Sequence, residues 1–358
     1  MNIFIIVLLL IPILGFSTSN QEFLDALATG SPKIIQQYID KGEYPNQIDF
    51  RTGYSPLLIT LIEGNTPAAI TLINNKAKIN FISEDQHTAL IFSAKYGHTK
   101  VVDLLIKNSA NINFTNDQGS ALNYAAKYGF VPIINSLLRA GADINNINID
   151  LHTPLMQASC NGHQKAVQLL LTNNANLSFF DQQGYSALSL ATINNHPKIV
   201  QILVQAGADP HIINKDGLSL LMLASQNGNI ENIIYFLKQN IALTITDHNK
   251  NDALLLAAYK NETQASDILI KAGSDVNRQN NEGWTSLHIA TFYEYEELAK
   301  LLVSYGADST IKNNQGQSAL DFAIKERNEK LFELFKSTNS NQQINTNNPI
   351  SSSTKYQQ

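Results

Sequence analysis

Histidine and cysteine are the side chains in this sequence that most readily do chemistry, because imidazole and thiolate groups bind metals and act in catalysis. His98, His163 and His196 recur at the same position of a repeating pattern. Histidines that recur in this way are expected to pack and to bond loops. The sequence also contains no H-E-x-x-H motif, no Gly-rich phosphate loop and no paired-Cys motif. It therefore predicts no enzyme, no metal site and no cofactor.

The only cysteine is Cys160, so no disulfide can form within the chain. We interpret Cys160 as a small packing residue near the end of a helix. The alternative is a reactive thiol or an intermolecular disulfide, which would need exposure and a lowered pKa. For an exported protein, a single cysteine is more typical of a bacterial envelope than of disulfide-rich eukaryotic secretion.

The elements that must position these side chains are marked by nine leucines spaced 33 residues apart, with one interval of 32. A fixed period of this size indicates a stacked repeat array. Two residues before each leucine stands a residue that can cap a helix N-terminus. The leucines are Leu57, Leu90, Leu122, Leu155, Leu188, Leu221, Leu254, Leu287 and Leu320, and the caps are Ser55, Thr88, Ser120, Thr153, Ser186, Ser219, Asp252, Thr285 and Ser318.

Each repeat also carries signals for the ends of two helices. Seven residues after the leucine, a Gly or Asn in most repeats can take the left-handed conformation that closes a first helix. An apolar pair such as Leu72-Ile73 then marks a second helix, and a polar turn leads to the next cap. Recurring carboxylates in these turns are expected to bond the backbone. They are Asp117, Asp150, Asp181, Asp216 and Asp247.

This pattern resembles the ankyrin repeat, in which a β-turn precedes two helices with a T-P-L-H-x-A signature. The strongest match is the T-S-L-H-I-A stretch at 285–290, followed by Thr153-Pro154-Leu155. The signature His survives only as His288, and one repeat is a residue short before Ser120. Over roughly residues 21–336, the resemblance implies an all-α repeat solenoid with β-hairpin loops. It would hold about nine full repeats plus an N-terminal capping helix pair.

Three regions follow from this assignment. Residues 20–336 are expected to form one ankyrin repeat domain, closed by the helix pair at 21–49 and by a charged last repeat. Residues 337–358 are Ser, Asn, Gln and Thr with few apolar side chains, so we expect a disordered polar tail.

Residues 1–19 carry an apolar run followed by small residues, which resembles a signal peptide, although the start lacks Lys and Arg. The expected location is therefore the periplasm or the exterior. The alternatives are a membrane anchor over residues 3–16 and, third, a buried N-terminal helix.

The charge balance bears on the kind of partner. Twenty-five basic and 30 acidic residues give a net charge of −5, and no basic stripe is visible. Nucleic-acid binding would need such a stripe, so we exclude it. We expect an unidentified protein partner and a monomeric chain, with membrane contact only if the N-terminal segment is retained.

In ankyrin proteins, partners usually meet the concave face, which is made of hairpin tips and the exposed ends of first helices. The resemblance therefore implies a partner-binding set at the matching positions. Many of its members are aromatic, and Tyr and Trp often dominate interface energies. The set is Tyr54, His87, Lys95, Tyr96, Lys127, Tyr128, His152, Tyr185, Tyr259, Trp284, Phe292 and Tyr293.

Two groups within this set are expected to form clusters. Trp284, Phe292 and Tyr293 share a repeat, with Tyr259 one repeat away. The second group joins the Lys-Tyr pairs at 95–96 and 127–128. The predicted function is protein recognition by an exported, non-catalytic ankyrin-repeat scaffold. The alternatives are an effector delivered into a host cell and a membrane-tethered structural protein of the envelope.

Overall fold

The computed structural model describes residues 18–42, 45–49 and 51–337, with side chains from residue 22 onward. Apart from their inner edges, the predicted export segment (1–19) and polar tail (337–358) lie outside the described residues. Within the described part, the chain is almost entirely helical. The predicted all-α repeat solenoid is confirmed.

The helices come in pairs, a first and a second helix in each repeat. The pairs are α1 (Thr18–Thr29) with α2 (Pro32–Asp40), α3 (Pro56–Ile62) with α4 (Thr66–Asn74), α5 (Ala89–Tyr96) with α6 (Thr99–Lys107), α7 (Ala121–Lys127) with α8 (Val131–Arg139), α9 (Pro154–Cys160) with α10 (Gln164–Thr172), α11 (Ala187–Ile193) with α12 (Pro197–Gln205), α13 (Leu220–Gln226) with α14 (Ile230–Lys238), α15 (Ala253–Tyr259) with α16 (Thr263–Lys271), α17 (Ser286–Phe292) with α18 (Glu296–Ser304), and α19 (Ala319–Lys325) with a last helical stretch over 329–337.

The first helices begin where the sequence predicts. Eight of the nine predicted caps accept a backbone N–H from three residues ahead, as Ser55 does from Leu58 at 3.4 Å. In the shortened repeat, Ser120 instead donates its hydroxyl to the Asn123 side chain at 2.8 Å. Each of the eight accepting caps satisfies an N–H group that the helix itself leaves without a partner.

The first helices also end where predicted. All seven Gly and Asn residues expected to close them have positive φ angles, for example 79° at Gly97 and 56° at Asn195. Glu294 and Arg327 adopt the same conformation without any such preference.

The chain divides into two compact units. Unit 1 comprises Met1–Ala158 and Gln168–Ala175, and unit 2 comprises Ser159–Val167 and Asn176–Gln358. In unit 1, successive first helices α1, α3, α5 and α7 pack side by side, as do the second helices α2, α4, α6 and α8. Unit 2 repeats this arrangement from α11 to α19.

The core of each unit lies between its helices. Eight of the nine marker leucines are fully buried, and Leu320 in the last repeat is half-buried. At the N-terminal end, Phe23, Leu27 and Ile35 are buried against the repeats. Each second helix carries a pair of neighbouring apolar residues, and in most pairs only the first residue is fully buried. Leu105, for example, is fully buried, whereas the next residue, Ile106, is half-buried. Each fully buried Leu contributes on the order of 2 kcal/mol.

The loops between repeats are turns rather than long strands. Within the described residues, one loop forms an antiparallel ribbon, in which β1 (Thr115–Asn116) pairs with β2 (Gly119–Ser120). A single bridge joins Ile213 and Ser219 in another loop. In the part of the chain that the structure covers, no helix is both long and apolar enough to cross a membrane.

Candidate functional site

A side-chain clamp in most hairpin loops fixes the residue that precedes the helix cap. In the loop before α17, Asn280 Oδ1 accepts the N–H of Trp284 at 2.9 Å, and the N–H of Asn280 donates to the Trp284 carbonyl at 3.0 Å. The same pair of bonds joins Asp181 to Tyr185 and Asn148 to His152. The loop backbone is thus closed on itself, and the side chain before the cap leaves it in a set direction.

We call the surface made by these pre-cap residues and by the last turns of the first helices the hairpin face, and we describe it separately for each unit. In unit 2 it carries the Trp284 cluster, defined as Trp284, Phe292, Tyr293, Tyr295 and Phe322. The Trp284 ring lies 5.2 Å from Phe292 and 5.4 Å from Phe322, measured between centroids. Phe292 in turn lies 5.1 Å from Tyr293, which stacks on Tyr295 at 5.6 Å.

Burial divides the Trp284 cluster into a base and a surface. Phe322 is buried at the base and Trp284 is half-buried above it. Phe292 and Tyr293 are 46% and 48% exposed. The predicted association of Trp284, Phe292 and Tyr293 is therefore observed, with the two outer rings held by ring contacts and open to solvent.

Tyr259 belongs to the same region of unit 2 but bonds a loop instead of joining the rings. Its hydroxyl oxygen accepts a long bond from Asn280 Nδ2 at 3.4 Å, and Asn280 also donates to Asn251 Oδ1 at 3.0 Å. Burial, assisted by the nearby Glu282 charge, raises the pKa of Tyr259. Tyr259 is thus tied to the clamp residue that positions Trp284.

In unit 1, the hairpin face carries the Lys95 cluster, defined as Tyr54, His87, Phe92, Lys95, Tyr96 and Tyr124. Phe92 is at its centre, with His87 stacked at 4.5 Å, Tyr96 stacked at 5.9 Å and Tyr54 edge-on at 5.9 Å. The structure thus unites Tyr54, His87, Lys95 and Tyr96 around a ring that the sequence had not singled out.

A carboxylate ties the edge of this cluster together. Asp85 Oδ2 accepts the Tyr54 hydroxyl at 2.8 Å and lies 3.1 Å from His87 Nδ1, while the Ser83 hydroxyl donates to Oδ1. Burial and the bond to Asp85 raise the pKa of Tyr54 to about 12. Burial opposes ionisation of Asp85, but the Ser83 and Tyr54 hydrogen bonds outweigh it and lower the pKa of Asp85.

The second Lys-Tyr pair repeats the arrangement one repeat further along unit 1. Lys127 Nζ lies 6.0 Å from the Tyr128 ring centroid, and Tyr128 also contacts Phe130 at 6.1 Å. Tyr96 and Tyr128 are each 42% exposed. Both predicted pairs therefore lie on the hairpin face with accessible rings.

The two remaining predicted residues lie apart from these clusters. His152 is half-buried, and its carbonyl accepts from Asn123 Nδ2 at 3.1 Å. Tyr185 is half-buried, and burial, with a smaller contribution from Asp216, raises its pKa. Both occupy the expected pre-cap position, outside the two clusters defined above.

Sequence reasoning missed the rings on which both clusters rest. Phe92, Tyr124 and Phe322 each stand two residues after a marker leucine. All three are buried, with their rings against pre-cap residues. One signal in the sequence could have indicated these rings. Each is an aromatic residue two positions after a marker leucine, and an aromatic pre-cap residue stands in the same repeat or in the one before it.

Two of the recurring histidines bond the backbone of the preceding repeat. His98 Nε2 lies 2.8 Å from the Leu61 carbonyl, and His196 Nε2 lies 3.1 Å from the Cys160 carbonyl. Cys160 is partly accessible, and its Sγ accepts from Asn194 Nδ2 at 3.4 Å. Among the residues with described side chains, no group of three His, Cys, Asp or Glu is placed to hold a metal ion.

Comparison with known proteins identifies the class. Six overlapping stretches match the family profile described as ankyrin repeats (3 copies), over residues 23–116, 59–148, 122–214, 194–280, 221–313 and 254–348. The chain belongs to the ankyrin repeat family. Ankyrin repeats generally mediate protein–protein interaction and are typically non-catalytic.

One solved structure illustrates the likeness of fold. The crystal structure of the human ASB11 ankyrin repeat domain matches with a TM-score of 0.55 and 24% sequence identity. The match covers 60% of this chain and 97% of that chain. At this identity the likeness shows the fold alone. No curated protein matches the sequence.

Proposed function

We propose that this protein is a non-catalytic scaffold that binds a protein partner on its hairpin face, with the Trp284 cluster as the principal contact. The observation that carries the proposal is the exposure of Phe292 and Tyr293 beside Trp284. Adjacent exposed aromatic rings, supported from beneath, have the composition and rigidity of interface hot spots.

The support beneath the rings matters for affinity. Trp284 is held by the Asn280 clamp on its backbone and by Phe322 under its ring. Phe292 and Tyr293 end a short helix with a buried inner face. Side chains that are already ordered lose little entropy when a partner docks, so more of the contact energy appears as affinity.

We further propose that the protein is exported, on the basis of the apolar run within residues 3–14 and the small residues after it. Edman sequencing of the protein recovered from cell fractions tests this proposal. A mature N-terminus near residue 20 in an envelope or medium fraction supports export. An intact Met1 in the cytoplasm contradicts it, and an intact Met1 in membranes supports the anchor instead.

Affinity capture with the full-length chain, compared with a Phe292→Ala/Tyr293→Ala variant, tests the binding site. The two substitutions truncate exposed rings, so the fold should survive and be verified by circular dichroism. Proteins captured by the wild type and lost by the variant support the site. We expect the variant to bind such a partner at least about tenfold more weakly, given hot-spot values near 2 kcal/mol per residue.

The matched control is Tyr235→Ala/Tyr305→Ala, which removes the aromatic rings of Tyr235 in α14 and of Tyr305 directly after α18, both in the same unit. It should retain the captured partner. Equal loss with both variants would show a general effect of removing aromatic surface. If the Phe292→Ala/Tyr293→Ala variant still captured the partner, the Trp284 cluster would be excluded as the principal contact.

A further inference from the structure

Lys95 in unit 1 is held by aromatic rings instead of by an acid. Its Nζ lies 5.4 Å from the Tyr96 ring centroid, 5.8 Å from Phe92 and 6.0 Å from Tyr124. Within the described part of the chain, no carboxylate oxygen lies within 4.0 Å of this ammonium. The rings fix the position of the charge but give it no hydrogen-bond acceptor.

The carboxylate of the same cluster is already occupied. Asp85 receives the hydroxyls of Tyr54 and Ser83 and lies beside His87 Nδ1. Asp85 is therefore engaged by groups of its own cluster, while the half-buried Lys95 places its ammonium beside the buried Phe92 and Tyr124 rings and the exposed Tyr96 ring. The charge that remains available for a partner on this part of unit 1 is positive.

A second ammonium lies one repeat further along. Lys127 is in the last turn of α7, as Lys95 is in the last turn of α5, and α5 packs against α7. Packed helices have axes about 8–10 Å apart, so the two lysines are separated by roughly one such step. A polyproline II chain has three residues per turn and rises about 3.1 Å per residue, so side chains three residues apart lie on one side of it, about 9 Å from each other.

The preceding repeat carries a negative charge at the matching position, so the two ends of the surface differ in charge. Glu63, which ends α3, takes the position corresponding to Tyr96, and it is exposed. Helix α3 packs against α5. An acidic partner is therefore attracted by Lys95 and Lys127 but repelled at the Glu63 end.

We propose that the surface formed by Lys95, Tyr96, Lys127 and Tyr128 binds a protein segment in the polyproline II conformation that carries two carboxylates three residues apart. The carboxylates take the two ammonium groups, and the side chain between them packs on the Tyr96 and Tyr128 rings. This inference rests on the proposed function only in assuming a protein partner for the hairpin face. It uses unit 1, whereas the principal contact above lies in unit 2.

Selection of random linear peptides displayed on phage, with the full-length chain as target, tests the inference. We expect enriched peptides to carry Asp or Glu at positions three apart, with an apolar or aromatic residue between them. Synthetic copies should bind a Lys95→Glu/Lys127→Glu variant about tenfold more weakly, since the two charges that meet the carboxylates are reversed. Copies whose two acids are replaced by Lys should prefer that variant to the wild type.

The control is a Lys100→Glu/Lys107→Glu variant, which makes the same change of net charge on α6 of the same unit. It should bind the selected peptides like the wild type. The inference fails if no peptide is enriched, if enriched peptides lack paired acids, or if the control loses as much affinity. It also fails if oligothymidylate binds more tightly than the peptides, which would indicate a phosphate backbone as the preferred anion.

These outcomes are separable from the test of the Trp284 cluster. Failure of the peptide selection, with partner capture still dependent on Phe292 and Tyr293, removes only the acidic-segment inference. Loss of that dependence removes the proposed principal contact, whatever the peptides show.

Discussion

Asn80 bonds the closing turn of the following repeat at two points. Its Oδ1 accepts the N–H of Asn111 at 2.8 Å, and its Nδ2 donates to the Ser109 carbonyl at 3.1 Å. Ser109 is the left-handed residue that ends the second helix α6, with φ of 61°. Asn46, Asn113 and Asn277 make the equivalent pair of bonds one repeat ahead of themselves.

We expect Asn80→Ala to lower the free energy of unfolding by about 1 kcal/mol, because two solvent-accessible hydrogen bonds are lost. Asn80→Asp should lose less, because it keeps the acceptor for Asn111. Urea unfolding followed by circular dichroism measures both changes. An Asn80→Ala midpoint equal to that of the wild type would show that water replaces these bonds without cost.

A pH-dependent loss of stability is expected from His288. Its Nδ1 accepts the Thr285 N–H at 3.1 Å, and its Nε2 lies 3.2 Å from the Gln317 carbonyl. Burial lowers the pKa of His288 below its usual value of 6.5. The unfolded chain therefore binds this proton first as the pH falls, and stability decreases below about pH 6.5.

The comparison variant for this effect is His288→Gln. Glutamine at this helix position can also bond the cap backbone, but it does not titrate. Between about pH 7.5 and 5.5, the wild type should lose more stability than His288→Gln, by at most about 1.4 kcal/mol per pH unit. Parallel slopes for wild type and His288→Gln would contradict the assignment.

Asp252 is the only carboxylate among the nine helix caps, and burial raises its pKa although Arg278 lies 3.7 Å away. A folded-state pKa above the unfolded value means that stability is lost as the pH rises through it. Asn caps as well as Asp. We therefore expect Asp252→Asn to be more stable than the wild type at pH 7, with the difference shrinking toward about pH 4.

Asp252→Ala is the control, because it removes the cap as well as the charge. It should be about 1 kcal/mol less stable than Asp252→Asn. Thermal or urea midpoints of the three proteins at both pH values give the comparison. A lower midpoint for Asp252→Asn at pH 7 would mean that the Arg278 contact outweighs the cost of burying the charge.

Glu294 ends α17 with a φ of 57°, a conformation that costs a side chain other than Gly about 1 kcal/mol. We expect Glu294→Gly to raise the free energy of unfolding by about 0.5–1 kcal/mol, measured by urea unfolding. The reverse change at the matching position, Gly97→Ala, should destabilise. The alanine would have to adopt a left-handed backbone conformation, and its Cβ would lie 3.0 Å from the Phe130 ring. Destabilisation by Glu294→Gly would point to a specific role for the carboxylate.

The helix boundaries were predictable because their signals are local. A cap such as Ser219 and a closing residue such as Asn195 act on the nearest helical turn, so residue type is sufficient evidence. Glu294 and Arg327 have no such preference. Their conformation follows from packing of the helices on either side, which overrides local propensity.

The turn-forming carboxylates were predicted only in part. Asp181 and Asp247 bond the loop backbone as expected, the latter to the N–H groups of Asn249 and Asn251. The prediction was wrong for Asp150 and Asp216, where Asn148 and Asn214 accept these bonds. Asn and Asp side chains accept such backbone bonds equally well, so their positions along the loop decide which of the two makes the bonds.

The candidate site was predictable at its rim but not at its base. Exposed members such as Tyr96 and Phe292 follow from the repeat register, since no core position needs them. Phe92 and Phe322 look like ordinary core residues in the sequence, because an aromatic side chain on a buried helix face is usual. Only the structure shows that their rings turn toward the pre-cap side chains His87 and Trp284.

The bonds made by Asn46, Asn80 and Asn113 all point the same way, from an earlier repeat to backbone made about thirty residues later. Translation produces the side chain first and its target afterwards. Each repeat that follows one of these asparagines thus completes a contact that its predecessor had left open to water. A chain leaving the ribosome can consequently lock its repeats in the order of their synthesis, and the last repeat made is the last to be secured.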